Sequence, residues 1–314
     1  MSKSTYILCP GQGAQLVGMG KDFYEASPAA KALFDLANDT IGFDLKTACF
    51  AGPEEFLNQT DISQPAIYTT SIASYRTGVE LGLIDPTAVT AYAGLSLGEY
   101  TALHLAGVFS FEAGLKLVAA RGKYMQEAAI ATPSGMVAIL GADEPAINKI
   151  CSDCAEGEVL VPANFNAPGQ IVVSGSINAC GRALKAAEAA GFKATALKVA
   201  GAFHSPLMQS GADKMKVELD KADFAVPRTM VYSNVTAAPH VDSASIKQRL
   251  VQQIVSPVKW EQTMKLLIAE GGDTARFIEL APNRHLAGLA KRINRRLPIE
   301  SLAQMPGKSE SAKI

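Results

Sequence analysis

Ala88-Val89-Thr90-Ala91-Tyr92-Ala93 leads into Gly94-Leu95-Ser96-Leu97-Gly98, and Glu99-Tyr100-Thr101-Ala102-Leu103-His104-Leu105-Ala106 follows. The first run is apolar and β-prone, and the last reads as a helix. A strand, then G-x-S-x-G, then a helix is the context of a nucleophile elbow. The two glycines leave room for a sharp turn and for close strand–helix packing. Ser96 is then exposed on the turn at the C-terminal edge of a sheet. The backbone N–H groups after it, beginning with Leu97, point toward whatever Ser96 attacks, and a helix N-terminus there favours developing negative charge. A plain Gly/Ser turn is the alternative reading of the same five residues.

Composition sets the bounds. The chain has 314 residues, a formal net charge of −1 and 48% hydrophobic residues, ample for a sizeable core. This length suggests about two domains. Balanced charge argues against bulk nucleic-acid binding. No run approaches the roughly 18 apolar residues of a membrane span. Met1-Ser2-Lys3-Ser4-Thr5 passes into a strand without signal-peptide architecture, and the five scattered cysteines fit a reducing compartment, so a cytoplasmic location is expected. Cys151-Ser-Asp-Cys154 is a lone C-x-x-C with only Cys180 near in sequence, too few ligands for a zinc site.

Upstream of the elbow, Tyr6-Ile7-Leu8-Cys9 is a short strand running into Pro10-Gly11-Gln12-Gly13-Ala14-Gln15. Leu16 stands where a dinucleotide loop would place its third glycine, so that reading is rejected. The loop either presents a backbone N–H, such as that of Gln12, beside the nucleophile, or is an ordinary strand–helix turn. Helices are expected over Lys21–Asn38, from Ser63-Gln64-Pro65 to about Leu81, and from an N-cap at Ser110. The last carries Arg121, either functional or simply solvated.

Pro133-Ser134-Gly135 marks a change of character. Strand, helix, strand, strand, helix and strand follow over Met136–Leu140, Asp143–Cys154, Val159–Asn164, Gln170–Gly175, Ile177–Ala190 and Ala194–Val199. This is the ferredoxin-like order, read as an insertion of about 70 residues. Asn164-Phe165-Asn166-Ala167-Pro168-Gly169 reads as the turn between its middle strands. The α/β pattern then resumes. Lys291-Arg292-Ile293-Asn294-Arg295-Arg296 is a basic cluster, either a helix end favoured by the macrodipole or a docking patch for an acidic partner. The final ten or so residues are polar and expected to be disordered.

A serine nucleophile needs a base. Of the four histidines, His204, His240 and His285 lie downstream of the elbow in the order an α/β-hydrolase requires, and none has an evident acidic partner in the sequence.

Together these stretches resemble the malonyl-CoA:acyl carrier protein transacylase family, from about Tyr6 to Leu302. The resemblance rests on Pro10 to Gln15, Gly94 to Glu99, Ala120-Arg121-Gly122, Asn164 to Gln170, Ala202-Phe203-His204-Ser205-Pro206-Leu207-Met208, Ser233-Asn234-Val235-Thr236, and Gln253 ahead of Ser256-Pro257-Val258. It implies an α/β fold: an α/β-hydrolase-like large domain (1–130 and 202–303), an inserted ferredoxin-like small domain (131–201) and a tail (304–314). It implies Ser96 as nucleophile and His204 as its general base, held by the carbonyl of Gln253. Gln12 and Leu97 would supply the oxyanion hole, with each donor contributing about 3 kcal/mol. Arg121 would clamp the malonyl carboxylate, with Asn164 and Asn166 also lining the substrate site. Malonyl-CoA and holo acyl carrier protein are the implied partners. No cofactor, metal, nucleic acid or membrane is implied.

Three positions depart from the family pattern. Leu95 stands where histidine is usual, Ala281-Pro282-Asn283-Arg284 where a Gly-Pro-Gly-Lys turn is common, and Ala14 where serine is usual. Phe203 resembles malonyl-selective members. Fatty-acid synthesis is the leading expectation. The alternatives are a trans-acting acyltransferase of a polyketide assembly line, an acyl hydrolase that unloads carriers, and a carrier-binding protein without activity.

Overall fold

The computed structural model describes residues 4–306. Most of the tail expected over 304–314 lies outside the described residues. Among the described residues, nine strands form two sheets. The first contains β1 (Thr5–Cys9), β2 (Val89–Gly94), β7 (Met230–Tyr232), β8 (Arg276–Leu280) and β9 (Ile299–Leu302) in the order β7-β2-β1-β8-β9, with every pairing parallel. Parallel sheets need cover on both faces, and β1 shows it residue by residue. Ile7 and Cys9 join an apolar cluster with Phe34, Ile67 and Leu103, whereas Tyr6 and Leu8 join another with Trp260, Met264 and Leu286. This is the α/β-hydrolase-like part.

The second sheet contains β3 (Ser134–Leu140), β4 (Leu160–Ala167), β5 (Gln170–Ser176) and β6 (Lys193–Ala196) in the order β4-β5-β3-β6, antiparallel throughout. With helices Glu144–Ala155 and Ile177–Ala189 it makes the expected ferredoxin-like unit. Val137, Ile139, Ile171 and Val173 face those helices, where Cys151, Cys154 and Cys180 pack among them. Burial pushes the Cys151 thiol up to about 12, as expected of a packing residue. β4 of this sheet is tied by backbone to the segment ahead of the helix Trp260–Gly271: Phe165 N–H donates to the Val258 carbonyl (2.9 Å) and Val258 N–H to the Ala163 carbonyl (2.8 Å).

Several boundaries differ from expectation, among them β6, which ends at Ala196 rather than Val199. β4 runs to Ala167, so Asn164 and Asn166 are strand residues and only Pro168-Gly169 turn. The long helix begins at Thr60, one turn before Ser63, so Pro65 lies inside it. Gly122 lets a neighbouring helix approach there: a Cβ on it would sit 2.8 Å from the Thr60 carbonyl oxygen. The helix expected over Lys21–Asn38 breaks at Ser27, which adopts extended backbone and caps Ala30 N–H ahead of Pro28. Among the described residues no helix is long and apolar enough to cross a membrane.

Candidate active site

The elbow is built by close backbone approach. A Cβ on Gly94 would lie 1.9 Å from the Gly98 carbonyl carbon, and one on Gly98 would lie 2.1 Å from the Cys9 carbonyl oxygen. Ser96 between them is forced to φ 52°, in the left-handed region that non-glycine residues avoid. Such backbone costs on the order of 1–3 kcal/mol and persists only where its surroundings hold it. Asn234 does so: its Oδ1 accepts the Ser96 N–H (2.5 Å) and its Nδ2 donates to the Gly94 carbonyl (2.6 Å). Gly11 presses on the same turn, since a Cβ there would lie 2.3 Å from the Leu95 carbonyl oxygen. Gln12 follows Gly11 and lines the same cavity as Ser96. Among the described residues, neither the Gln12 nor the Leu97 backbone N–H has an acceptor.

His204 is the histidine that reaches Ser96, with Nε2 2.8 Å from Oγ. Its Nδ1 lies 2.8 Å from the Gln253 carbonyl. A carbonyl only accepts, so Nδ1 carries the proton and Nε2 turns its lone pair to the serine hydroxyl. Burial, then the nearby Arg121 charge, lowers the His204 pKa to about 4, against the raising effect of the Gln253 carbonyl. The base is therefore neutral and available throughout the physiological range. His204 also has positive φ, 58°. Of the others, His240 faces Glu99, His285 lines the site cavity, and His104 donates from Nδ1 to the Phe109 carbonyl.

Arg121 comes from the helix Phe111–Ala131 and is 1% exposed. Nη1 donates to Gln64 Oε1 (2.6 Å), and Nη2 donates to Gln253 Oε1 (2.9 Å) and to Ser96 Oγ (3.1 Å). Nε is buried without a partner, and among the described residues no acid forms an ion pair with this guanidinium. Burial lowers its pKa. The Gln253 side chain, Asn234 and Gln64 were not singled out as site groups from the sequence. Each meets Ser96 or Arg121 across 57 residues or more, a distance at which local pattern carries no signal.

These groups open on a cavity of about 400 Å³ between the two sheets, lined by Ser96, Arg121, Leu95, Met125, Phe203 and His204, and by Asn164, Asn166 and Gln170 of the small sheet. Alternation along β4 puts both asparagines on the cavity face. Asn166 Oδ1 and Gln170 Oε1 are buried without partners. Leu95 belongs to the apolar cluster of Ala93, Val258 and Trp260, so the residue in the usual histidine position forms greasy floor. The other two departures touch: Asn283 Nδ2 donates to the Ala14 carbonyl (2.8 Å), tying that turn to the Gly11–Gln15 loop. A larger cleft of about 780 Å³ near Lys21 and Arg284 is lined by none of Ser96, Arg121 or His204.

A serine hydroxyl on a strained turn, a neutral imidazole oriented by a carbonyl, and N–H groups without acceptors are the parts that acyl transfer uses. The family model described as the acyl transferase domain matches residues 5–306. The chain belongs to the acyl transferase domain family. A malonyl CoA-acyl carrier protein transacylase of Bacillus subtilis (strain 168) is 43% identical over 299 residues, covering 95% of this acyl transferase and 92% of the relative. The solved structure of the Coxiella burnetii enzyme of that name aligns with TM-score 0.93 at 38% identity, covering 97% of this chain and 95% of that one. A malonyl-transacylase solved in complex with a type II polyketide-synthase acyl carrier protein aligns with TM-score 0.91 at 38% identity, covering 96% of each chain.

Proposed function

We propose that this acyl transferase moves a malonyl group from malonyl-CoA to the phosphopantetheine thiol of holo acyl carrier protein, in fatty-acid synthesis, through an ester on Ser96. The observation that carries the proposal is Arg121: a wholly buried guanidinium, paired only with neutral groups, 3.1 Å from the nucleophile. A buried cation with no carboxylate in direct contact is costly, and Glu99 acts on this one only across the Gln253 amide. The free carboxylate of a malonyl group supplies the anion, accepting from Nε and from the Nη2 that the serine hydroxyl otherwise uses. An acetyl group offers no such partner.

In this reading His204 Nε2 takes the Ser96 hydroxyl proton as Oγ attacks the thioester carbonyl. The Gln12 and Leu97 N–H groups hold the oxyanion. The C–S bond breaks and the CoA sulfur receives the proton from His204. The carrier thiol then repeats these steps in reverse, with Asn164 and Asn166 lining the path of the arm. This is ping-pong covalent catalysis. The division into a catalytic domain (1–130 and 202–303) and an insertion (131–201), and a cytoplasmic location, belong to the same proposal. The five free, buried cysteines are consistent with a reducing compartment.

Intact-protein mass after mixing with malonyl-CoA, and again after adding holo carrier, tests the reading. A malonyl adduct absent in Ser96→Ala and transferred to carrier supports it, whereas decay to free malonate with the carrier ignored overturns it. Arg121→Ala should lower the malonyl-to-acetyl ratio of loading kcat/KM by at least tenfold; an unchanged ratio removes the carboxylate clamp. Carriers of the fatty-acid and polyketide types, compared in the same assay, identify the pathway.

A further inference from the structure

None of those steps uses Glu99. It lies in the first turn of the helix Gly98–Leu105 and is wholly buried. Three N–H groups converge on its carboxylate: Gln253 Nε2 at 2.7 Å, the Asn234 backbone N–H at 2.9 Å and His240 Nε2 at 2.8 Å. The His240 side chain is itself buried, and its Nδ1 has no partner, so the contact with Glu99 is the imidazole's single polar tie.

A carboxylate offers acceptors only, and that fixes the polarity of what surrounds it. Gln253 must turn Nε2 toward Glu99 and the Ser96 carbonyl (3.1 Å), which leaves Oε1 facing Arg121 Nη2. The flipped amide would set a carbonyl against the carboxylate and an NH₂ against the guanidinium. The Asn234 backbone is pinned by the same carboxylate, and the Asn234 side chain holds the Ser96 N–H. One buried acid thus orients both the arginine and the nucleophile turn.

We propose that Glu99, steadied by His240, is a positioning residue: by setting the Gln253 amide it keeps the Arg121 guanidinium aimed at the substrate carboxylate. This rests on the malonyl reading of Arg121. Glu99→Gln keeps the shape but adds a donor, so position 99 no longer enforces the Gln253 orientation, which is then held only by the Ser96 carbonyl and Arg121. His240→Leu removes the support, and His240→Gln restores a donor.

The test measures loading kcat and KM on the full chain with malonyl-CoA and with acetyl-CoA, for wild type, Arg121→Ala and these three variants. Glu99→Gln is expected to raise the KM for malonyl-CoA and to lower the malonyl-to-acetyl ratio of kcat/KM by about tenfold or more, the scale of a misplaced binding group. His240→Leu should move the ratio the same way, and His240→Gln should recover it. A loss of folded protein would reduce both donors equally. A ratio unchanged in Glu99→Gln and His240→Leu, while Arg121→Ala lowers it, overturns the positioning role alone. A ratio unchanged in Arg121→Ala overturns the malonyl reading as well.

Discussion

One added methyl group at Gly11 should nearly silence acyl loading while the protein remains folded. The Cβ of Gly11→Ala would lie 2.3 Å from the Leu95 carbonyl oxygen, where ordinary contacts begin at 3.4 Å. The obstacle is backbone of the strained elbow, so the Pro10–Gln12 loop has to retreat by about 1 Å. An N–H···O bond of about 2.9 Å stretched that far is lost. The Gln12 N–H would then miss the oxyanion. Removing one such donor typically costs about 3 kcal/mol, a fall of at least a hundredfold in the chemical step. Overpacking should cost about 1–3 kcal/mol of stability. The KM for malonyl-CoA should change little, because ground-state binding is assigned to Arg121. Rapid-quench mass spectrometry at saturating malonyl-CoA reads the loading rate, and circular dichroism reads Tm. Gly288→Ala, with nothing within 4 Å of the new Cβ, is the control. A folded Gly11→Ala that loads within threefold of wild type would refute the argument that this loop supplies an oxyanion donor.

Further outcomes follow from the same geometry. With His204 held at about 4, below its ordinary 6.5, the neutral base persists as pH falls, so loading kcat/KM should stay level to about pH 5 and decline only near pH 4; an acid limb centred near 6.5 would contradict the burial of this imidazole. Gly98→Ala should yield little folded protein in a solubility and dichroism assay, since its Cβ would sit 2.1 Å from the Cys9 carbonyl oxygen, and wild-type Tm in that variant would show the elbow to be looser than described. Lys291, Arg292 and Arg295 share a concavity with Pro168. Arg292→Glu combined with Arg295→Glu should raise the KM for holo carrier severalfold and leave malonyl loading alone, whereas equal effects on both half-reactions would exclude a docking role.

Local pattern carried the architecture. Short apolar, β-prone runs in Met136–Leu140 and Gln170–Gly175, helical runs between strands, and glycines flanking Ser96 are each read over a few residues, so they are visible in a linear string. In the elbow, Gly94 is required by Gly98 within the motif itself, whereas Gly98 is required by the Cys9 carbonyl from a distant strand. The Asn164–Gly169 stretch misled for an equally local reason. Asparagine before Pro-Gly resembles a turn, yet pairing with β5 carries the strand to Ala167 and turns both asparagines to the cavity.

By itself the sequence determined the order of strands and helices, the inserted unit and the serine on its turn, since short-range sterics and hydrophobic periodicity govern those. Chain order left three histidines equal, and Arg121 looked like any helical arginine. Tertiary structure separated them: His204 meets Ser96 across 108 positions, His240 meets Glu99 across 141, and Arg121 is stripped of water beside Gln64 and Gln253. Protonation, tautomer and charge pairing depend on what surrounds a group in space, and those neighbours come from distant parts of the chain.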